Sequence, residues 1–179
     1  TPGNAVIPNS TFTAVRVATP NVSVGGSVIN TGTVNATATG ILINNDATLV
    51  GGLTNNGVVG LSSKNGILVN GATIVGGISN SGTITNNNSG AGITVTNVST
   101  FGGGISNSAT IDVGGVGVFV GITPSGGPVS TFTGGISNSG VISAGGASAA
   151  GIAVQTVPTF IGNITNAQGG TISAGRTGI

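Results

Sequence analysis

Apolar residues along this chain fall two or four positions apart, in short blocks that recur almost unchanged. Six copies share one register. The first column holds Val24, Leu49, Ile74, Phe101, Phe132 and Phe160, and four residues later in each copy stand Val28, Leu53, Ile78, Ile105, Ile136 and Ile164. Two residues on comes an asparagine every time: Asn30, Asn55, Asn80, Asn107, Asn138 and Asn166. A small residue follows (Gly32, Gly57, Gly82, Ala109, Gly140), then Val34, Val59, Ile84, Ile111, Ile142 and Ile172. After a turn of variable length a glycine precedes Ile41, Ile67, Ile93, Val118, Ile152 and Ile179. Ile43, Val69, Val95, Val120 and Val154 lie two further on. A spacing of two is the period of a strand, whose alternate side chains share a face. The columns are rich in β-branched residues, which suit strands. No stretch shows the three-four apolar spacing of a helix, and glycine is too frequent for helix interiors.

The copies lie 25 to 31 residues apart. Self-similarity at that period signals stacked structural units. The pattern predicts an all-β fold, a parallel β-helix or β-solenoid, with one copy per turn, about six turns and three short strands in each. Residues 1–21 are expected to form a partial first turn, with Val15 and Val17 in the Ile-x-Val register and Ile7 preceding them. Residues 22–179 are expected to carry the repeats. At about 4.8 Å per stacked strand the rod is about 30 Å tall.

Stacking turns every column into a ladder. Ile78, Ile105 and Ile136 should form one core ladder, and Phe101, Phe132 and Phe160 another. The asparagines stand two residues after an inward apolar residue, so their side chains also turn inward and are expected to hydrogen-bond one another. Gly103, Gly134 and Gly162, two residues after each Phe, are expected to leave room for the rings. Ser79, Ser81 and Thr83 should face outward, as should Leu42, Leu68 and Phe119, apolar residues that mark a candidate contact patch. Insertions lengthen two places. One is the turn before the sixth column, and the other is Gly121-Ile122-Thr123-Pro124-Ser125-Gly126-Gly127-Pro128, a surface loop by its proline and glycine content. Loops carry recognition in many folds, which makes this one the second candidate for contact.

Composition narrows the chemistry. Of 179 residues, 36 are glycine and only 3% are charged, yet 37% are apolar, enough to build a core that a disordered chain lacks. The charges are Arg16, Asp46, Lys64, Asp112 and Arg176, a net of +1 that offers no footprint for nucleic acid. With no Cys, disulfides and thiolate metal sites are excluded. With no His, Cys or Glu, a nucleophile has no base, and two aspartates on different turns make no carboxylate pair. Calcium-binding nonapeptides need an aspartate in every unit, and only Asp112 lies near such a sequence. The longest apolar run, residues 113–122, is too short for a membrane helix. No catalytic residue, metal site or cofactor is expected, nor any membrane insertion by this segment.

The GGISNSGTI units at Gly76, Gly103 and Gly134, the Ser-Thr-Phe before the last two, and the Gly-Ile-x-Val strands between resemble the repetitive passenger regions of Gram-negative autotransporters and related large adhesins. The resemblance spans residues 22–179. It implies a right-handed β-helix, export through the outer membrane and a place on the bacterial cell surface, outside the cell. It supplies no catalytic residues to carry over. The expected role is a non-catalytic structural stalk or adhesin, with host, surface or matrix ligands as partners. A second expectation is a filament subunit whose ends, marked by Ile7, Val15, Val17, Ile172 and Ile179, stack on further copies of itself. An ice-binding solenoid is a third, though regular Thr-x-Thr rows are missing.

Overall fold

The computed structural model describes residues 4–7, 11–12, 14–61, 64–124 and 126–179, with side chains described for all of these except Ile7, Thr11, Phe12 and Leu61. It is a parallel β-solenoid without helix among those residues. Each turn carries four strands, seen in Ile78–Asn80, Thr83–Asn86, Ile93–Thr96 and Val98–Phe101. Equivalent strands pair in parallel with those of the turns before and after, giving four sheets that run the length of the rod. The first sheet runs from Ala5–Ile7 to Ile164–Asn166 and the second from Thr11–Phe12 to Thr171–Ala174, each with seven strands. The third runs from Val15–Val17 to Ile152–Gln155 and the fourth from Ser23–Val24 to Thr159–Ile161, each with six.

The pairings follow the columns: Ile78 lies between Leu53 and Ile105, Ile84 between Val59 and Ile111, Ile93 between Ile67 and Val118, and Phe132 between Phe101 and Phe160. Three strands per turn is therefore corrected to four. The first column is a separate strand and no extension of the second, because a glycine corner with left-handed dihedrals, for example Gly77 at φ 77°, turns the chain between them. The opening segment also does more than expected. Ile7 pairs with Asn30, in the asparagine register, so the first sheet begins one turn earlier than the periodic signal.

The inward faces close a dry core. Ile41, Ile67, Ile84, Phe101 and Phe132 have no exposed surface. The Phe101, Phe132 and Phe160 rings stack, with centroids 4.9 and 5.1 Å apart and planes within 2° and 1°. Asparagine occupies the one regular polar column in this core. Asn30, Asn55, Asn80, Asn107 and Asn138 are buried. Each side-chain amide donates to the side-chain oxygen in the next turn, at 2.7 or 2.8 Å, ending on Asn166. The second amide hydrogen reaches a backbone carbonyl of the next turn, such as Thr110 from Asn80 at 3.4 Å or Val141 from Asn107 at 3.2 Å. Main-chain carbonyls of the same residues bind the next corner: Asn55 O accepts from Ser81 N and Gly82 N. The column thereby meets the bonding demand of a buried amide, which is costly when unmet.

The glycines after the phenylalanines have another cause than ring space. Gly103, Gly134 and Gly162 are exposed on the outside of the rod. Gly134 has φ 99°, and a Cβ there would run into the backbone nitrogen of Gly104, so the residue is fixed by a backbone conformation and by the backbone of the neighbouring turn. Gly134→Val should destabilise the rod by about 2–3 kcal/mol through strain and steric overlap together. Thermal unfolding of the variant checks this, and an unchanged melting temperature would remove the close approach as the cause.

Candidate binding face

The outer face of the third sheet departs most from the smooth hydroxyl coat. Along one outward column stand Arg16, Leu42, Leu68, Thr94, Phe119 and Ala153, in register from turn to turn. A second outward column carries Asn44, Asn70 and Thr96. Leu42, Leu68 and Phe119 are half-buried. Thr94 and Thr96 are buried to 3% and 2% exposure although they point away from the core. Strand Ile93–Thr96 is therefore covered on both faces.

The long loop supplies part of that cover. It leaves the third sheet at Gly121, whose φ of 145° suits glycine and where any Cβ would collide with Gln155 O. Gly126 N donates to Thr123 O at 3.1 Å, which tightens the tip. The returning limb is tied to the preceding turn: Asn97 N donates to Gly127 O at 2.7 Å, Val98 N to Pro128 O at 3.1 Å, and Thr96 Oγ1 to Gly127 O at 3.0 Å. The loop thus lies back along the rod and does not project from it.

Between loop and sheet is a concavity of about 440 Å³. Leu68 and Phe119 form opposite walls with Thr94 between them, and Pro124 and Thr123 of the loop close one side. Asn70 and Thr96 lie on the same surface, and Asn65, Ser89, Ala91 and Val116 complete the rim from the preceding turns. The notch has a simple origin. Leu68 and Phe119 stand two strands apart, about 10 Å, and the small Thr94 leaves the space between them unfilled. No ionisable residue lines it. The side chains of Asn70 and Thr94 find no hydrogen-bond partner among the described residues. One turn earlier in Asn70's column, Asn44 Oδ1 is buried and unpartnered.

The loop and the apolar patch, two separate candidates in the sequence, therefore meet in one place through Leu68, Phe119, Thr123 and Pro124. Leu42, Gly121 and Ile122 do not line this concavity, and Ser125 lies outside the described residues. Pro128 faces another depression of about 350 Å³ with Asp46 and Asn97. The periodic reading missed Thr94, Thr96 and Asn70. The available signal was Thr94, a small polar residue between Leu68 and Phe119 in the outward column that also holds Leu42.

The remaining candidates sit elsewhere. Asp46 is at the corner after the third sheet with φ 59°, and Asp112 is exposed on the second sheet beside Thr85 and Ser143. Among the described residues no three His, Cys, Asp or Glu gather to hold a metal. Of the end residues, Val15 and Val17 are half-buried against Ile41 and Ile43, and Ile172 is half-buried beside Ile142. The backbone of Ile7 is paired, but its side chain lies outside the described residues. Ile152 N still donates to Gly178 O at 2.9 Å, whereas Ile179 belongs to no strand and is 57% exposed. Asn86, off the regular column, is a further buried amide, donating to Lys64 O and accepting from Asn88 N at 2.9 Å. No helix of the described residues is long and apolar enough to cross a membrane. Set against known protein families, curated proteins and solved structures, the chain finds no match.

Proposed function

We propose that this chain is a rigid, non-catalytic stalk segment of the bacterial cell surface, exported from a Gram-negative cell and built to hold an adhesive face away from the membrane. The observation that carries the reading is the unbroken ladder construction. Asn30 to Asn138 are buried and their amides bond in sequence along the rod to Asn166, flanked by apolar ladders that are buried up to the last turn. Stiffness comes from that regularity, since each turn contacts only its neighbours and every contact repeats. The outward positions of the first two sheets are mostly Ser, Thr and Asn, with Asp112 the one charge among the described residues, which suits a protease-resistant coat. The autotransporter-like repeats support the exported location. Antibodies raised against the folded chain test this on intact cells of its source: labelling without permeabilisation is expected, and labelling only after permeabilisation would overturn it.

A second reading is a filament subunit. Phe160, Ile164 and Ile172 are half-buried in the last turn, while their counterparts one turn earlier are buried, so anything stacked there would cover apolar surface. Electron microscopy at micromolar concentration separates the two. Unbranched fibres with an axial repeat of about 30 Å favour the filament, and discrete short rods favour the stalk.

A further inference from the structure

The concavity on the third sheet has a lining that selects its ligand. Charge recognition is absent, because no titratable side chain reaches it. Strand addition is also absent, because Ile93–Thr96 and Val118–Gly121 are each paired on both sides and offer no free edge. Phe119, half-buried, gives the notch an aromatic wall, with Leu68 on the opposite wall and Pro124 at one side. Beside it are polar groups in need of partners. Thr94, 3% exposed, has an unpartnered hydroxyl in the surface of the notch, and Asn70 has an unpartnered carboxamide. Asn65 uses its Oδ1 to accept from Ala91 N at 3.1 Å, which leaves its amide hydrogens for another acceptor. These groups border the open space of the notch and are available to a group supplied from outside.

We infer that this concavity binds a neutral saccharide. A pyranose ring presents the two surfaces that the notch lacks: a flat C–H face, weakly positive, for the negative face of Phe119, and equatorial hydroxyls that both donate and accept, for Thr94, Asn70 and Asn65. The volume of about 440 Å³ lies in the range of small-molecule sites and accommodates one or two sugar rings. Anionic sugars are disfavoured, since desolvating a carboxylate or sulfate here meets no cation. The loop sets one wall: Thr123 and Pro124 are held over the notch by the bonds from Thr96 and Asn97 to Gly127. The inference deepens the reading of the rod as an adhesive stalk by naming the ligand class. It is tested on the isolated chain, so its failure leaves the cell-surface labelling experiment to judge the stalk separately.

The test is titration of the full ¹⁵N-labelled chain with cellotriose, maltotriose and chitotriose, each to about 10 mM, with trigalacturonate and a proline-rich peptide as controls. Saturable shifts from at least one neutral trisaccharide, centred on Leu68, Asn70, Thr94 and Phe119, are expected. Phe119→Ala should weaken that binding about tenfold or more while the melting temperature moves by no more than about 2 °C. Thr94→Val, which keeps the shape and removes only the unpartnered hydroxyl, should weaken binding severalfold without lowering stability. The inference is overturned if all three neutral sugars leave these amides unmoved, if the shifts centre elsewhere, or if Phe119→Ala and Thr94→Val bind as the parent does. It is equally overturned if only the anionic sugar or the peptide occupies the site.

Discussion

Phe132→Ala is expected to lower the stability of the rod by about 4 kcal/mol, the middle of the range for emptying an aromatic site in a core. The ring has no exposed surface and is the middle of three, stacked on Phe101 at 4.9 Å and Phe160 at 5.1 Å. Its removal leaves a void between two rings that cannot approach each other. The distance between them is set by the backbone, because Thr131 and Phe132 are paired with Thr100 and Phe101 on one side and with Thr159 and Phe160 on the other. A core that cannot collapse keeps its cavity, and the cavity term adds to the lost transfer energy. Hydrogen exchange shows where the loss falls. Amides of Val98–Phe101, Val129–Thr133 and Thr159–Ile161 should lose protection together, while turns farther along the rod keep theirs, since a solenoid transmits contacts only to neighbours. Phe160→Ala, at a half-buried site in the last turn, should cost distinctly less. Equal losses at the two positions would mean that the ring stack is not what holds this sheet.

Asn80→Ala should have an effect of similar size, about 4 kcal/mol, by a different route. The Asn80 amide donates to Asn107 Oδ1 at 2.7 Å and to Thr110 O at 3.4 Å, and its own oxygen accepts from Asn55 at 2.7 Å. Alanine removes all three bonds. It also strips Asn107 Oδ1 and Asn55 Nδ2 of their side-chain partners in a site closed to water. Orphaning a buried donor or acceptor costs about 1–3 kcal/mol each, more than the bond itself contributes when made. The ladder also polarises along its length, so a central break should weaken the bonds beyond it. Asn166→Ala is the internal control: that residue is exposed and ends the ladder, so its loss should stay within about 1 kcal/mol. Urea unfolding of the two variants gives the comparison. A central loss as small as the terminal one would show that the column is a packing feature with no bonding role.

Much of this was legible in the chain because parallel stacking in register is the simplest map from sequence to structure. A residue one period away is the residue one strand away. Asn55 under Asn80, Leu49 under Ile74 and Ile111 under Ile142 could be paired by alignment alone, and the inward or outward sense followed from a period of two. The opening strand at Ala5–Ile7 escaped because its asparagine-column position holds Ile7 and breaks the pattern that identifies the others. The glycine reading failed in its cause for a related reason. Periodicity places Gly134 near Phe132, but only dihedral angles reveal that it sits on the outside at φ 99° against Gly104.

The candidate site was legible in pieces and not as a site. Leu68 and Phe119 could be placed on one outward column, and Gly121 to Pro128 could be recognised as an insertion. Nothing in their spacing shows that the loop turns back, since that depends on bonds from Thr96 and Asn97, in the turn before, to Gly127. Sequence alone thus determined the turn count, the ladders and the side each ladder residue faces, because these obey the repeat. The four-strand section, the corner glycines and the notch over Thr94 were decided only in three dimensions. They arise where the repeat is interrupted, at corners and insertions, and there the chain follows local dihedrals and contacts across turns that no period encodes.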